Sequence, residues 1–333
     1  MPVLYLATSP APPMPGTDAV FQEIASLRDA FGGELLHLYP LKKPGRRYPW
    51  RLYGLHNLPK IRWLEGQTSV THVFSPIPYY FPLFRFLRNP IIYTVVASPR
   101  SMAIPPKIED MRHLRQVVVS NQRDAETLAA WGLDNVAVIP PGIVASPGRW
   151  EWRPPGDDFT LLMASAPWTL EQFDLKGIDV LLQAAAKLPF LKLVLLWRGL
   201  FKRELQERIR RIGVTDRVEI IDRKVDAHHY LRNAHAAILL SKDSRIVKAF
   251  PHSLVEALMA DRPVIVSDCL PIADYVRQNR CGVVAESVTV DGLTNAIERL
   301  RRDYDRLRPS ALMGPDDFSV HAMIERHRTV YAL

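Results

Sequence analysis

The stretch Lys248–Asp268, KAFPHSLVEALMADRPVIVSD, carries three local signals in succession. A Pro-bearing turn comes first. An apolar run with helical spacing follows over Ser253–Ala260, and the β-branched run Pro263-Val264-Ile265-Val266 comes last. Turn, amphipathic helix and apolar strand in this order form one unit of an α/β fold. Two charges stand out at its start: Lys248 in the turn and Glu256 in the helix, eight residues on. Ser253 is placed as the N-cap, and Glu256, three residues later, completes a capping box. The backbone N–H groups of His252, Ser253 and Leu254 then face outward from a helix start, where the dipole favours an anion.

Outward from this stretch the same alternation recurs. In the first half VLYLAT (3–8), ELLHLYP, VTHVFSP, IIYTVVAS, QVVVSN and VAVIPPG read as strands. TDAVFQEIASLRDAF (17–31) reads as a helix, as does QRDAETLAAWG, which Gly132 closes. Residues 146–158 lie in a Pro-, Gly- and Trp-rich stretch without periodicity, the expected linker. The pattern then restarts with FTLLMAS, GIDVLLQAAAKL and LKLVLLW, and continues through RVEIID, HAAILLS, RPVIVSD and GVVAE. Helices are expected at 227–233 and 253–260, and a last one at about 321–331. The predicted class is α/β, with one domain over 1–145 and a second over 159–316.

The chain has 333 residues, 47% hydrophobic and 23% charged, and a net charge of +8. Those values fit a globular protein with an anionic partner, and charge alone does not choose among nucleotide, phosphorylated substrate, nucleic acid and membrane. Its two cysteines, Cys269 and Cys281, are too few for a disulfide framework and lack metal-type spacing. The N-terminus reads as a strand and a loop, not a signal peptide. No apolar run approaches the ~18–20 residues of a spanning helix. The expected setting is cytoplasmic. No motif for nucleic-acid recognition is present.

PHSLVEALMADRPVIVSD resembles the donor-site block of GT-B-fold glycosyltransferases of the retaining family-four group (glycosyl transferases group 1). The likeness rests on Leu254, Glu256, Ala257, Met259 and Pro263-Val264-Ile265. DLKGIDVLLQAAAKL is similar to that family's K-G-x-D-x-L-L-x-A segment, and VVVSNQRDAETLAAWGLDNVAVIPPGI to the end of its first domain. The resemblance implies a GT-B fold, with two Rossmann-like domains facing a cleft. The donor would bind mostly to the second domain and the acceptor mostly to the first, with residues 317–333 returning to the first domain.

Residue roles follow from the same resemblance. Glu256 would accept both ribose hydroxyls, a task suited to two carboxylate oxygens; its structural alternative is the cap described above. Lys176 would reach the diphosphate, with Gly177 allowing close approach. Arg198, at the end of the next strand, is offered as the second charge in place of an upstream Arg that MASAPWTLEQ lacks. Lys248 stands where the family has Glu, and can bind phosphate or an anionic sugar but cannot accept hydroxyl protons. Gly16 and Thr17, in SPAPPMPGTDAV, form the acceptor-side loop; Thr17 is otherwise a plain helix cap. The family carries a His after the strand matching IIYTVVAS, where this chain has Ala97 and Ser98. His72 is expected in the core, and Asp303 and Asp305 on a solvated helix face.

The implied activity is transfer of a hexose from a nucleotide-diphosphate sugar to an acceptor hydroxyl, with retention and without a metal or other cofactor. The acceptor is not readable; a glycan or a lipid-linked sugar fits. Two alternatives stand beside it: a degenerate nucleotide-sugar-binding scaffold, motivated by Lys248 and the missing His, and a GT-B-fold sugar-nucleotide epimerase. Finally, Leu41–Trp63 interleaves Lys42, Lys43, Arg46, Arg47 and Arg51 with Tyr48, Trp50 and Tyr53. That mixture suits an anionic membrane surface and peripheral contact through 42–63, or an ordinary exposed loop.

Overall fold

Val3–Ala7 is buried at every position, as a strand must be when other layers cover both faces of a parallel sheet. The same holds for Val70–Ser75, Ala236–Leu239 and Val264–Ser267. These runs are the centres of two sheets in a computed structural model that describes residues 2–11, 18–39, 49–144, 151–197, 201–313 and 317–332. The chain divides into two compact units, residues 1–142 with 318–333, and residues 143–317.

The first unit contains β1 (Val3–Ala7), α1 (Ala19–Phe31), β2 (Gly33–His37), α2 (Leu58–Glu65), β3 (Val70–Ser75), β4 (Ile91–Val95), β5 (Gln116–Val119), α3 (Gln122–Ala130) and β6 (Val136–Val138). Its sheet runs β2-β1-β3-β4-β5-β6 and is parallel throughout. The second unit contains β7 (Phe159–Met163), α4 (Glu171–Leu175), α5 (Ile178–Lys187), β8 (Leu191–Leu196), α6 (Lys202–Ile212), β9 (Val218–Ile221) and α7 (Ala227–Asn233). It continues with β10 (Ala236–Leu239), α8 (His252–Met259), β11 (Val264–Ser267), α9 (Ile272–Asn279), β12 (Gly282–Ala285) and α10 (Val290–Arg302). Its order is β12-β11-β10-β7-β8-β9, again parallel. In each sheet the winding direction reverses once: between β1 and β3 in the first, between β7 and β10 in the second. Ligands of open α/β sheets bind at the carboxyl ends of strands flanking such a reversal.

The last helix, α11 (Val320–Ala332), belongs to the first unit. It packs beside α1 on one face of the first sheet, with Met323, Val330 and Tyr331 in the same apolar cluster as Val3, Tyr5, Ile24 and Leu27. Phe31 meets Tyr331 edge to face at 4.9 Å. His72, in β3, is fully buried, in line with the core placement expected for it. Its ring bonds the Tyr331 hydroxyl through Nδ1 and the Thr94 hydroxyl through Nε2, both at 2.7 Å. Burial holds the His72 imidazole well below its ordinary pKa, and the neighbouring His327 adds to this.

Several local expectations need correction. The cap of α1 is Asp18, whose carboxylate accepts from the Val20 and Phe21 N–H groups; a short carboxylate at the β-region cap position satisfies two helix-start donors at once. Thr17, expected there, lies outside the described residues, and so does Gly16. The basic and aromatic stretch expected as a loop is partly helical: 50–52 and 55–57 are 3₁₀ turns and α2 begins at Leu58. Pro59 fits in the first turn of α2, where no intrahelical N–H bond is lost. Lys42, Lys43, Arg46, Arg47 and Tyr48 lie outside the described residues. Asp303 and Asp305 are past the end of α10, not on its face. Asp305 accepts from the Trp152 indole N–H at 2.8 Å, and Trp152 stacks on Tyr304 at 4.5 Å.

Candidate functional site

β7 ends in the small-residue loop Ala164-Ser165-Ala166, and β10, its neighbour in the sheet, ends in Leu240-Ser241-Lys242. Both loops leave the carboxyl edge at the reversal point, and Lys176, Gly177, Lys248 and Glu256 all follow them.

Lys176 caps the end of α4, and α5 starts two residues later at Ile178. It is only 4% exposed. Its ammonium donates to Ser165 Oγ at 2.9 Å and to the Ala166 carbonyl at 3.0 Å, so its charge is held at the carboxyl end of β7. Burying an ammonium is costly unless oxygens surround it, and the β7 loop supplies two. Gly177 follows with φ +59°, the left-handed region. A Cβ there would come within 2.7 Å of Val288 Cγ1 and 3.3 Å of Leu240 Cδ1. Glycine is therefore required both by the turn and by close packing on the β10 loop. That loop is tied to the same turn by the Lys242 N–H, bonded to the Leu175 carbonyl at 2.7 Å, and by the Lys242–Asp174 ion pair at 2.6 Å. Asp179, in the first turn of α5, pairs with Arg208 of α6.

The β10 loop leads through the 3₁₀ turn Ser244–Ile246 to Lys248 and α8. It is stiffened from within. Ser241 N–H donates to Ser267 Oγ at 2.7 Å, Ser241 Oγ donates to the Asp243 carbonyl at 2.7 Å, and the Cys269 thiol donates to the Ser241 carbonyl at 3.1 Å. Arg245 binds both Asp243 oxygens, which holds the Asp243 carboxyl below its ordinary pKa.

At α8 the capping box is overturned. The N-cap is Pro251, in extended conformation and without a side-chain cap bond. Ser253 is thus the second helical residue, and Glu256 lies a full turn inside the helix, out of reach of a cap role. The Leu254 and Val255 N–H groups both donate to the Pro251 carbonyl, at 3.0 and 3.2 Å. Leu254 therefore does not present its N–H outward, and the helix-start donors outside the ladder belong to His252 and Ser253. His252 is buried, and its Nε2 lies 3.3 Å from Lys248 Nζ. Ser253, Glu256 and Lys248 are half-buried.

Lys176 and Gly177 thus follow β7 in the chain, and Lys248, His252, Ser253, Leu254 and Glu256 lie on the loop and helix after β10, its neighbour across the reversal point. Arg198 lies outside the described residues; Trp197, before it, ends the β8 segment and is buried. Sequence reading missed the two oxygens that hold Lys176. The signal available was the run of small residues after β7, which lets a lysine from the next turn lie against the strand end.

In the first unit Ser98 Oγ donates to Asp124 Oδ1 at 2.5 Å, and Asn121 Nδ2 donates to Asp124 Oδ2 at 2.7 Å. Asn121 Oδ1 accepts from the Asp124 N–H at 2.9 Å. Burial raises the Asp124 carboxyl, an effect the Ser98 and Asn121 bonds oppose. The reciprocal Asn121–Asp124 bonds are a capping pair that fixes the start of α3. Ser98 is the residue near the family's His position, and it serves that cap.

Residues 170–310, which include Lys176, Gly177, Lys248, His252, Ser253, Leu254 and Glu256, match the family model described as Glycosyl transferases group 1. The whole chain superposes on solved GT-B glycosyltransferases. One is the lipopolysaccharide outer core galactosyltransferase WaaB, with TM-score 0.71, 14% identity and 99% of each chain covered. Another is HepE of Anabaena in complex with UDP-glucose, with TM-score 0.71, 16% identity and 100% of each chain covered. A third is a sucrose-phosphate synthase of Thermosynechococcus elongatus, with TM-score 0.67, 15% identity, and 100% of this chain and 98% of that one covered. No curated protein matches in sequence. The fold is GT-B, as the sequence resemblance implied, and the likeness to group 1 glycosyltransferases is found again in the second unit.

Proposed function

We propose that the protein is a retaining glycosyltransferase that moves a hexose from a nucleotide-diphosphate sugar to an acceptor hydroxyl, with no metal required. The observation that carries this reading is Lys176: a buried ammonium held at the carboxyl end of β7, at the reversal point of a sheet matching group 1 glycosyltransferases. The known complexes of HepE with UDP and UDP-glucose support a nucleotide-sugar as the ligand class.

In the proposed reaction the bond between the anomeric carbon and the diphosphate oxygen breaks, and the acceptor oxygen bonds the same carbon on the same face. The acceptor proton passes to the departing diphosphate. Negative charge grows on the diphosphate as the bond breaks, and fixed cations stabilise it without reorganisation. Lys176 is assigned to that charge, with Lys248 and Arg198 beside it and the His252 and Ser253 N–H groups adding the helix-start dipole. Glu256, freed from any cap role, is assigned to the ribose diol. Gly16 and Thr17, in the loop after β1, are assigned to the acceptor side.

The test is a panel of nucleotide-sugars screened by thermal shift, with each stabilising donor then offered to glycan and lipid-linked acceptors in the presence of EDTA. Release of nucleoside diphosphate with a glycosylated product supports the reading. Tight donor binding with no transfer and no hydrolysis would make the chain a binding scaffold, and interconversion of the free donor would make it an epimerase.

A further inference from the structure

Between residues 35 and 108 the chain carries eleven Lys and Arg and a single acid, Glu65. That acid is buried and turned inward: Glu65 Oε1 accepts from the Arg88 and Asn89 N–H groups at 2.8 and 3.1 Å. Among the described residues of the segment, every exposed Lys, Arg, Asp or Glu is therefore a cation.

The described parts of the segment form one layer. Ile61 and Leu64 of α2 and Phe81, Leu83 and Phe84 around the 3₁₀ turn Pro82–Phe86 bury into one apolar cluster with Leu4, Leu6 and Val73 of the sheet. The turn before α2 is locked to the second turn at Gly54, where a Cβ would lie 2.4 Å from Leu83 Cδ2. The α1 and α11 helices pack with Val3 and Tyr5, on the opposite face. What this layer turns to solvent combines cations with large apolar groups. Arg51, Lys60, Arg85 and Arg88 are exposed, while Trp63 is 66% and Phe86 47% exposed. Arg85 makes one loose pair, 3.9 Å to Asp110. A single exposed Trp needs no explanation. A Trp and a Phe among cations, with no exposed acid of the segment to offset them, are what an interfacial surface requires: rings for the headgroup region and charges for anionic lipid.

We propose that this layer of the first unit is a docking surface for an anionic lipid bilayer, with Trp63 and Phe86 entering the headgroup region and Lys60, Arg85 and Arg88 at the lipid phosphates. Such a contact lies on the membrane; among the described residues no helix is long and apolar enough to cross one. The inference stands independently of the donor-site reading, because its residues all belong to the other unit.

The test is co-sedimentation of the full chain with phosphatidylcholine vesicles, with and without phosphatidylglycerol, at low and at high salt. Binding is expected only with the anionic lipid, and high salt weakens it. The triple substitution Lys60→Gln, Arg85→Gln, Arg88→Gln should weaken it about a hundredfold, and Trp63→Ala with Phe86→Ala about tenfold. All five side chains are exposed, and the melting temperatures of the variants should match the parent. No binding to anionic vesicles at low salt overturns the proposal. So does binding that heparin abolishes while Trp63→Ala with Phe86→Ala leaves it intact, since that is the behaviour of a site for a soluble polyanion.

Discussion

Replacing Lys176 by Met keeps the buried stem and removes the charge. In the folded chain the ammonium donates to Ser165 Oγ and the Ala166 carbonyl, so the substitution has two separable effects. On stability, two oxygens lose a donor, which costs about 1–3 kcal/mol. Against this, a charge no longer has to be buried at 4% exposure. The two offset, and the net change in unfolding free energy should stay within about 2 kcal/mol. On binding, a nucleoside diphosphate loses a charge-assisted bond, which costs about 1.5–3 kcal/mol, or roughly 10- to 150-fold in Kd. A nucleoside without phosphates loses nothing. Isothermal titration of UDP, GDP and ADP and of their nucleosides, with parent and Lys176→Met, separates the two ligand classes. A selective loss on the diphosphate is the expected outcome. Equal weakening of nucleoside and diphosphate, or no weakening of either, would refute the placement of the diphosphate at the end of β7.

Glu256→Gln preserves shape but loses the charge proposed to hold the ribose. It should weaken every nucleotide donor that binds, by about tenfold, as isothermal titration of the donor panel will show. Lys248→Glu brings a carboxylate to the diphosphate side and should abolish turnover of the native donor through like-charge repulsion, as steady-state kinetics over a donor panel will show; an unchanged donor preference would make Lys248 a bystander. Gly177→Ala must adopt φ +59° and displace Val288, and urea unfolding should report a loss of about 1–3 kcal/mol. The buried His72 and His327 are held below the ordinary histidine pKa by burial, as His235 is, down to about 4. Below 6.5 the unfolded chain then binds more protons than the folded one, so stability is full above 6.5 and falls as pH falls. His72→Asn should flatten that acid limb in pH-dependent melts; an unaltered slope would remove His72 as a contributor.

The fold was readable in the sequence because its central strands are buried on both faces and leave unbroken Val, Ile and Leu runs, as in RPVIVSD and VLYLAT. The C-terminal helix was also readable as an element. What ties it to the first sheet, the bond between Tyr331 and His72, joins residues far apart in the chain and leaves no local pattern. α2 was missed because it carries Lys60, Arg62 and Trp63 and a Pro in its first turn, which mask a short apolar side of Leu58, Ile61 and Leu64. The cap of α8 was misplaced by two residues. Ser253 is the residue type that caps best, but Pro251 holds an extended backbone at the right point without any side-chain bond, and tertiary packing of His252 and Leu254 then sets the start. The places of Lys176, Gly177, Lys248 and Glu256 along the second unit were legible through their motifs. The oxygens around Lys176 were not, since they come from a loop whose residues are individually unremarked.

The central claim is tested most directly by the anomeric configuration of the product. The chain is incubated with the donor that stabilises it most and with an acceptor, and the anomeric configuration of the new glycosidic bond is assigned by proton NMR. Nucleoside diphosphate should be released in step with a glycoside of the same anomeric configuration as the donor, at an undiminished rate in EDTA. An inverted product, or a donor that binds at the Lys176 site and is never cleaved, would contradict the central claim.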